Sequence, residues 1–318
     1  MKWKFVLIIF SIILICCISH NESIVFYENK THIVFTDDFG FVVSVKKYPK
    51  RIVSLAPSNT EILFALGLKD RIVGVTDYCN YPPDVLELKR SKRIESVGGY
   101  STVDVEKVVR LRPDLVVASY GNGIGVVKAL KSFGITVICL NPKSIEDIIR
   151  DIEILGKVCG VEENASKLVE LIKLRIELIR EDEHNWKPRI VHIVWSDPIW
   201  VSGKNTFIDD AIEIAGGVNA VNESGWVVLS LEDLIRINPD IIIVNSGNGM
   251  SSSSENIIYE SIIESDVLRN LKAVKCGNVY VIDADVISRP SYRLVYAIEE
   301  ISKIIDVAYE RERICVSS

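Results

Sequence analysis

The side chains that could carry chemistry divide into a catalytic set that does not assemble and a binding set that does. The histidines are His20, His32, His184 and His192, and none has a partner at ligand spacing, so no protein-held metal is expected. There is no phosphate loop of the G-x-x-x-x-G-K-[ST] kind, no G-x-S-x-G elbow and no G-x-G-x-x-G after the first strand. Gly121-x-Gly123-x-Gly125 reads as a loop. The expectation is a protein without catalytic residues or a resident cofactor. What does converge is a set of aromatic and amide residues placed where predicted strands end. Tyr78, Asn80 and Tyr81 follow one strand, Tyr100 follows Gly98-Gly99, and Tyr120 and Asn122 follow another. In the second half, Trp200 follows Trp195-Ser196-Asp197-Pro198, Trp226 follows Gly225, and Asn245 and Asn248 follow a strand. Ring faces, phenols and a few amides suit a large, flat, partly apolar ligand. For each aromatic the competing role is closure of the local core. Trp195 ends an apolar strand and fits that role, whereas Trp200, Trp226 and Tyr120 fit the ligand role better. Arg289, just before Pro290, has two roles open: an anionic group on the ligand, or a salt bridge that holds the terminal loop.

These residues need a scaffold that brings strand ends together. Ile33–Thr36 and Phe41–Val45 read as a hairpin around Asp37-Asp38-Phe39-Gly40. Short apolar strands then alternate with helices: Arg51–Leu55, Arg71–Val75, Leu115–Ala118 and Thr136–Leu140, and later Arg189–Trp195, Ile241–Val244 and Val279–Ile282. Ser144-x-x-Asp147 and Thr206-x-x-Asp209 have the spacing of helix caps. The run Val161–Glu183 has no Gly or Pro and has apolar residues at helical spacing, so it predicts a long helix between two α/β units. The halves echo each other without gaps: Val103 through Glu106, Pro113 and Asp114 to Val117 aligns on Leu229 through Glu232, Pro239 and Asp240 to Ile243. The fold expected is α/β, with two similar lobes. Each lobe is a mostly parallel sheet flanked by helices, and one long helix joins them beside an interlobe ligand cleft. The boundaries expected are a leader over 1–20, a first lobe over 21–159, a linking helix over 160–184 and a second lobe over 185–318.

Lys2 and Lys4 precede a charge-free apolar run from Phe5 to Ile15, the order of an export signal and too short for a comfortable bilayer span. Cys16 and Cys17 follow directly. Cys17 is the expected lipid acceptor, and an uncleaved N-terminal anchor is the alternative. Both place the body of the chain outside the cytoplasm. Of the 318 residues, 48% are apolar and 25% charged, a globular composition, and the net charge of −6 with scattered basic residues argues against nucleic acid. Cys79, Cys139, Cys159, Cys276 and Cys315 are far apart and odd in number, which is a poor disulfide scaffold. One bridge fits, with its pair undetermined. Asn164-Ala165-Ser166 and Asn222-Glu223-Ser224 match the glycosylation acceptor pattern.

Several segments carry a family likeness in order along the chain. They are Asp38-x-Gly40, the unbroken run Arg51 through Glu61, and Gly74-Val75-Thr76-Asp77-Tyr78-Cys79-Asn80-Tyr81-Pro82. Gly98-Gly99-Tyr100-Ser101, Leu111-Arg112-Pro113-Asp114, Ser202-Gly203-Lys204 through Ala215-Gly216-Gly217, and Arg289-Pro290 follow. The chain resembles the helix-linked substrate-binding proteins that deliver corrinoids, haem or ferric siderophores to ABC importers, and the cobalamin-binding branch most of all. The resemblance implies capture of a corrinoid, with a ferric siderophore, haem or another metal chelate as the alternative. It implies a monomer that partners an ABC permease dimer with its ATPase subunits. It also implies one docking carboxylate at the exposed tip of each lobe, here Glu61 and Glu213. A plainer role for Glu61 is a capping box with Ser58. Cys79 or Tyr78 is the candidate for a lone axial ligand to the cargo metal, with plain packing the competing role for Cys79.

Overall fold

The alternating strands and helices fold into two sheets that share a layer of helices. The computed structural model describes residues 26–180, 186–247 and 256–315. The leader with Cys16 and Cys17, His20, His184 and Asn248 lie outside these residues.

The chain enters through an antiparallel sheet of β1 (Tyr27–Glu28), β2 (His32–Thr36) and β3 (Val42–Lys46), in which Ile33, Phe35, Val43 and Val45 alternate inward. The expected hairpin is therefore present, with one extra short strand. Asp37 organises its turn by accepting the Phe39 and Phe41 N–H groups at 3.1 and 2.9 Å.

The first lobe runs β4 (Ile52–Ser54), α1 (Pro57–Ala65), β5 (Ile72–Val75), α2 (Asp84–Arg90), β6 (Glu95–Ser96), α3 (Val105–Arg110), β7 (Leu115–Ser119), α4 (Ile124–Ser132), β8 (Val137–Leu140) and α5 (Ile145–Cys159). Its sheet has order β6-β5-β4-β7-β8 and is parallel at every pairing. The central strands are buried on both faces, which is why they read as unbroken apolar runs. The linking helix α6 spans Glu162–Arg180.

The second lobe runs β9 (Arg189–Ser196), β10 (Ile199–Ser202), α7 (Phe207–Ile214), β11 (Val218–Asn219), β12 (Trp226–Leu229), α8 (Leu231–Ile237), β13 (Ile241–Asn245), α9 (Ile257–Ile263), α10 (Lys272–Lys275), β14 (Val279–Ile282), α11 (Ala284–Ile287) and α12 (Leu294–Cys315). Its sheet keeps the expected parallel core and adds an antiparallel margin. β14, β13, β9 and β11 pair in parallel, but β10 pairs antiparallel with both β9 and β12. Only two residues, Asp197 and Pro198, separate β9 from β10, so the chain turns back on itself and no crossover helix fits.

The internal repeat has a structural cause. α3–β7 and α8–β13 are matching helix–turn–strand units, and Arg112 (φ 47°) and Asn238 (φ 43°) at matching positions both hold the left-handed conformation that stops the helix before the proline. The next residue but one caps a neighbouring strand. Asp114 accepts the Lys50 and Arg51 N–H groups at 2.8 and 2.9 Å, and Asp240 accepts that of Arg189 at 2.7 Å.

One apolar core crosses the lobe boundary. It takes Ile52 and Ile138 from the first sheet, Ile172 and Ile176 from α6, Ile190 and Ile241 from the second sheet, and Ile298, Ile301 and Ile305 from α12. The lobes thus share packing as well as a connecting helix. The predicted caps form, with Ser144 accepting from Asp147 N–H and Thr206 from Asp209 N–H, both at 3.1 Å. Ser58 does not cap α1, whose N-cap residue is Ala56 without a side-chain bond. The disulfide is Cys276–Cys315, which fastens the end of α12 beside α10, while Cys79, Cys139 and Cys159 are buried thiols.

Candidate ligand-binding cleft

In the first lobe the carboxyl ends of the parallel strands deliver three tyrosines to one edge. Tyr78 follows β5 and is exposed, Tyr100 follows β6, and Tyr120 follows β7 with 62% of its surface exposed. Tyr100 is held in place: its hydroxyl meets Ser119 Oγ at 3.0 Å, and its ring covers Gly121, where a Cβ would come within 2.2 Å of Tyr100 Cε1. Only glycine leaves that ring its position. Asn122 is buried and fully engaged. It accepts Ser119 N–H at 2.7 Å and donates to the carbonyls of Leu55 (2.8 Å) and Tyr100 (2.7 Å). Its place is beneath the tyrosines, as the peg that fixes their loop, and not at the ligand surface. Tyr120 stands edge-on to Phe39, with ring centroids 5.5 Å apart.

In the second lobe the antiparallel edge makes the aromatic surface. Trp200 is opposite Trp195 in the β9–β10 pairing and opposite Val228 in the β10–β12 pairing, and Ser202 is opposite Trp226. Because side chains alternate along a strand, this register puts Trp195, Trp200 and Trp226 on one face. They line an open cavity of about 390 Å³ together with Val194. Trp200 and Trp226 are 40% and 42% exposed, large values for tryptophan, and Phe207 supports Trp226 edge-on at 5.8 Å. Trp195, which the sequence places in the core, belongs to this cavity, with its indole N–H fixed on the Asp197 carbonyl at 2.8 Å. Asn245 is buried beneath, between His192 Nε2 (2.9 Å) and Ser288 Oγ (2.8 Å). His192 contacts Ser202 Oγ at 3.1 Å through Nδ1, and its complete burial pulls its pKa down to about 4.

The lobes are bridged by a buried ionic network that takes up three expected site residues, Glu61, Arg289 and Asn80. Glu61 on α1 is 1% exposed. It accepts from Arg289 at 3.0 Å and Arg293 at 3.1 Å through Oε1, and from Ser291 Oγ at 2.5 Å through Oε2. Burial raises its pKa, and the Ser291 hydroxyl with Arg293 and Arg289 draws it back. Glu61 is therefore not at an exposed tip; a carboxylate enclosed by its own chain's guanidiniums has no face for a partner. Arg289 also pairs with Asp285 at 2.5 Å and donates to Asn80 Oδ1 at 2.7 Å, while Asn80 donates to Asp285 at 2.7 Å. Of its two open roles, Arg289 fills the structural one, and Asn80 is committed with it. Tyr81 is half-buried under Arg293, whose guanidinium lies 3.8 Å from the ring centroid. A second bridge runs from Asp210 on α7 to the Ile145 N–H that opens α5, at 2.7 Å.

Glu213 is exposed, but it is paired with Lys204 at 2.9 Å and faces Trp186, Ser302 and Ile305 where α7 meets α12. Cys79 is buried with Thr60 and Thr76 hydroxyls at 3.1 and 3.2 Å, and burial raises its thiol pKa, so it has no access to a cleft ligand. Two further carboxylates are exposed, Glu106 and Glu232, each the second residue of its helix, α3 and α8. These two glutamates align in the internal repeat.

With two aromatic strand-end surfaces and a shared helical layer established, comparison with known proteins decides the lineage. Residues 52–286 match the model for periplasmic binding proteins. The chain belongs to the periplasmic binding protein family. An uncharacterised ABC-transporter substrate-binding lipoprotein of Bacillus subtilis, YvrC, is 34% identical over 273 residues, covering 83% of this chain and 82% of that protein. A vitamin B12-binding protein of Vibrio cholerae is 28% identical over 271 residues, covering 84% of this chain and 93% of that one. The crystal structure of the periplasmic vitamin B12-binding protein of Vibrio cholerae superposes with a TM-score of 0.70 at 26% identity, over 82% of this chain and 99% of that one. The two-lobed fold is thus that of solute-binding proteins of ABC transporters. Among the described residues no helix is long and apolar enough to cross a membrane.

Proposed function

We propose that this protein captures a corrinoid outside the cytoplasm and hands it to an ABC importer, as a binding protein and not an enzyme. The observation that carries the ligand class is the tryptophan face of the second lobe, with Trp195, Trp200 and Trp226 around one open cavity, opposed in kind by Tyr78, Tyr100 and Tyr120 on the first. Such ring faces favour a large macrocycle with an apolar plane. The electrostatics favour a ligand without a dense negative charge. Arg289 and Arg293 are neutralised by Glu61 and Asp285, and Lys204 by Asp209 and Glu213. The amide-fringed corrin fits that setting better than a haem with two propionates or an anionic ferric siderophore. The vitamin B12-binding relatives add weight to the same choice.

For delivery, a permease dimer calls for matching contacts on the two lobes. Glu106 and Glu232 supply them better than Glu61 and Glu213, since they sit at one repeat position and both are exposed. Exposed carboxylates at fixed helix positions suit bidentate arginine partners. Lipid attachment at Cys17 would keep the protein on the outer membrane face. The test of the ligand class is the absorption spectrum and mass of whatever is retained after native purification. A corrin chromophore is expected; a haem Soret band or a siderophore mass would replace the corrinoid reading.

A further inference from the structure

Lys143 stands apart from the other cations near the cleft. β7 and β8 are paired in parallel with Ser119 opposite Leu140, so Tyr120 and the Asn141–Lys143 turn leave the sheet side by side at the ligand edge. Lys143 sends its backbone N–H to Asp147 at 2.8 Å. Its ammonium does not follow; it lies over the face of Tyr120, 5.6 Å from the ring centroid. Arg289, Arg293 and Lys204 are all paired with carboxylates, and Lys89 is spent on the carbonyls of Thr76, Asp77 and Cys79. Among the described residues, Lys143 thus brings to this edge a charge that no carboxylate pairs, on an exposed side chain resting against an exposed ring.

We propose that Lys143, seated on Tyr120, is a subsite for an anionic substituent of the ring ligand, and that it distinguishes a corrinoid carrying its phosphodiester-linked nucleotide from one lacking it. The inference rests on the corrinoid reading above. The aromatic surfaces take the macrocycle, and the ammonium offers up to three donors to a phosphodiester at the rim. An ammonium on a ring face keeps its outward donors free, whereas one locked on a carboxylate does not. Asp147, Glu146 and the Asp210 carboxylate at the start of α5 stand close by, so the attraction is local and moderate.

The test is calorimetric titration of the full mature chain and its Lys143→Gln and Lys143→Arg variants with cyanocobalamin and with dicyanocobinamide, which lacks the phosphate. Lys143→Gln should weaken cyanocobalamin roughly fivefold at low ionic strength, about 1 kcal/mol. It should leave dicyanocobinamide unchanged, and Lys143→Arg should restore the preference. Equal loss for both ligands, or none for either, overturns the subsite while leaving the corrinoid reading intact. A wild-type protein that binds neither corrinoid overturns that reading and this one with it.

Discussion

Removing the Glu61 carboxylate should destabilise the fold without any change at a docking surface. In the structure this side chain is 1% exposed and receives three hydrogen bonds, from Arg289, Arg293 and Ser291, at 3.0, 3.1 and 2.5 Å. Deleting one member of a buried ion pair costs about 3–5 kcal/mol, because the partner's charge stays buried. Here the cost falls toward the lower end. Arg289 keeps Asp285 and Asn80, and Arg293 keeps the face of Tyr81. About 3 kcal/mol is therefore expected for Glu61→Ala and about 2 for Glu61→Gln, which retains the volume and one acceptor. At roughly 2 °C per kcal/mol for a chain of this size, Glu61→Ala should melt about 6 °C lower. Thermal unfolding of Glu61→Ala, Arg289→Ala and the double variant provides the cycle, and a coupling of at least about 1 kcal/mol is expected for residues in direct contact. A Glu61→Ala protein as stable as wild type, with additive losses in the double variant, would refute the buried network. If that same stable variant lost delivery to the importer, Glu61 would be a docking residue after all.

Three further outcomes follow from the geometry. His192, fully buried with a pKa near 4, binds fewer protons when folded than when unfolded, so stability should fall as pH drops from about 6.5 to about 4. The loss should approach about 3 kcal/mol, and urea titrations of a His192→Gln variant should show a much flatter dependence over that window. Trp226→Ala should cut affinity for the ligand roughly tenfold or more while lowering stability little, since the ring is 42% exposed; unchanged binding in a fluorescence titration would remove the tryptophan face from the site. Charge reversal of both Glu106 and Glu232 should leave ligand affinity within about twofold and abolish ligand-stimulated ATP hydrolysis by the importer reconstituted in vesicles. Retained stimulation would put docking elsewhere.

Much of the architecture was legible because its signals are local. Apolar runs bounded by Pro113-Asp114 and Pro239-Asp240 mark buried strands, and Ser144-x-x-Asp147 and Thr206-x-x-Asp209 mark helix starts that form as read. The aromatic half of the site was legible for the same reason, since strand ends and the residues after them are read directly. The polar half was not. An asparagine at a strand end looks alike whether it faces a ligand or turns under the loop, and Asn122 and Asn245 turn under, to satisfy buried groups. Glu61 presented the same difficulty over a longer range, because its partners Arg289, Ser291 and Arg293 arrive from the far end of the chain. The antiparallel β9–β10 pairing hinges on a two-residue turn, and the Cys276–Cys315 pair on the placement of α12; neither has a periodic signature.

Calorimetric titration of the purified protein with cyanocobalamin, haemin and a ferric hydroxamate siderophore under identical conditions separates the three ligand classes most directly. One-to-one binding of cyanocobalamin with the tightest affinity of the three is expected. Tight one-to-one binding of haemin or the siderophore, with no heat from cyanocobalamin, would contradict the corrinoid reading.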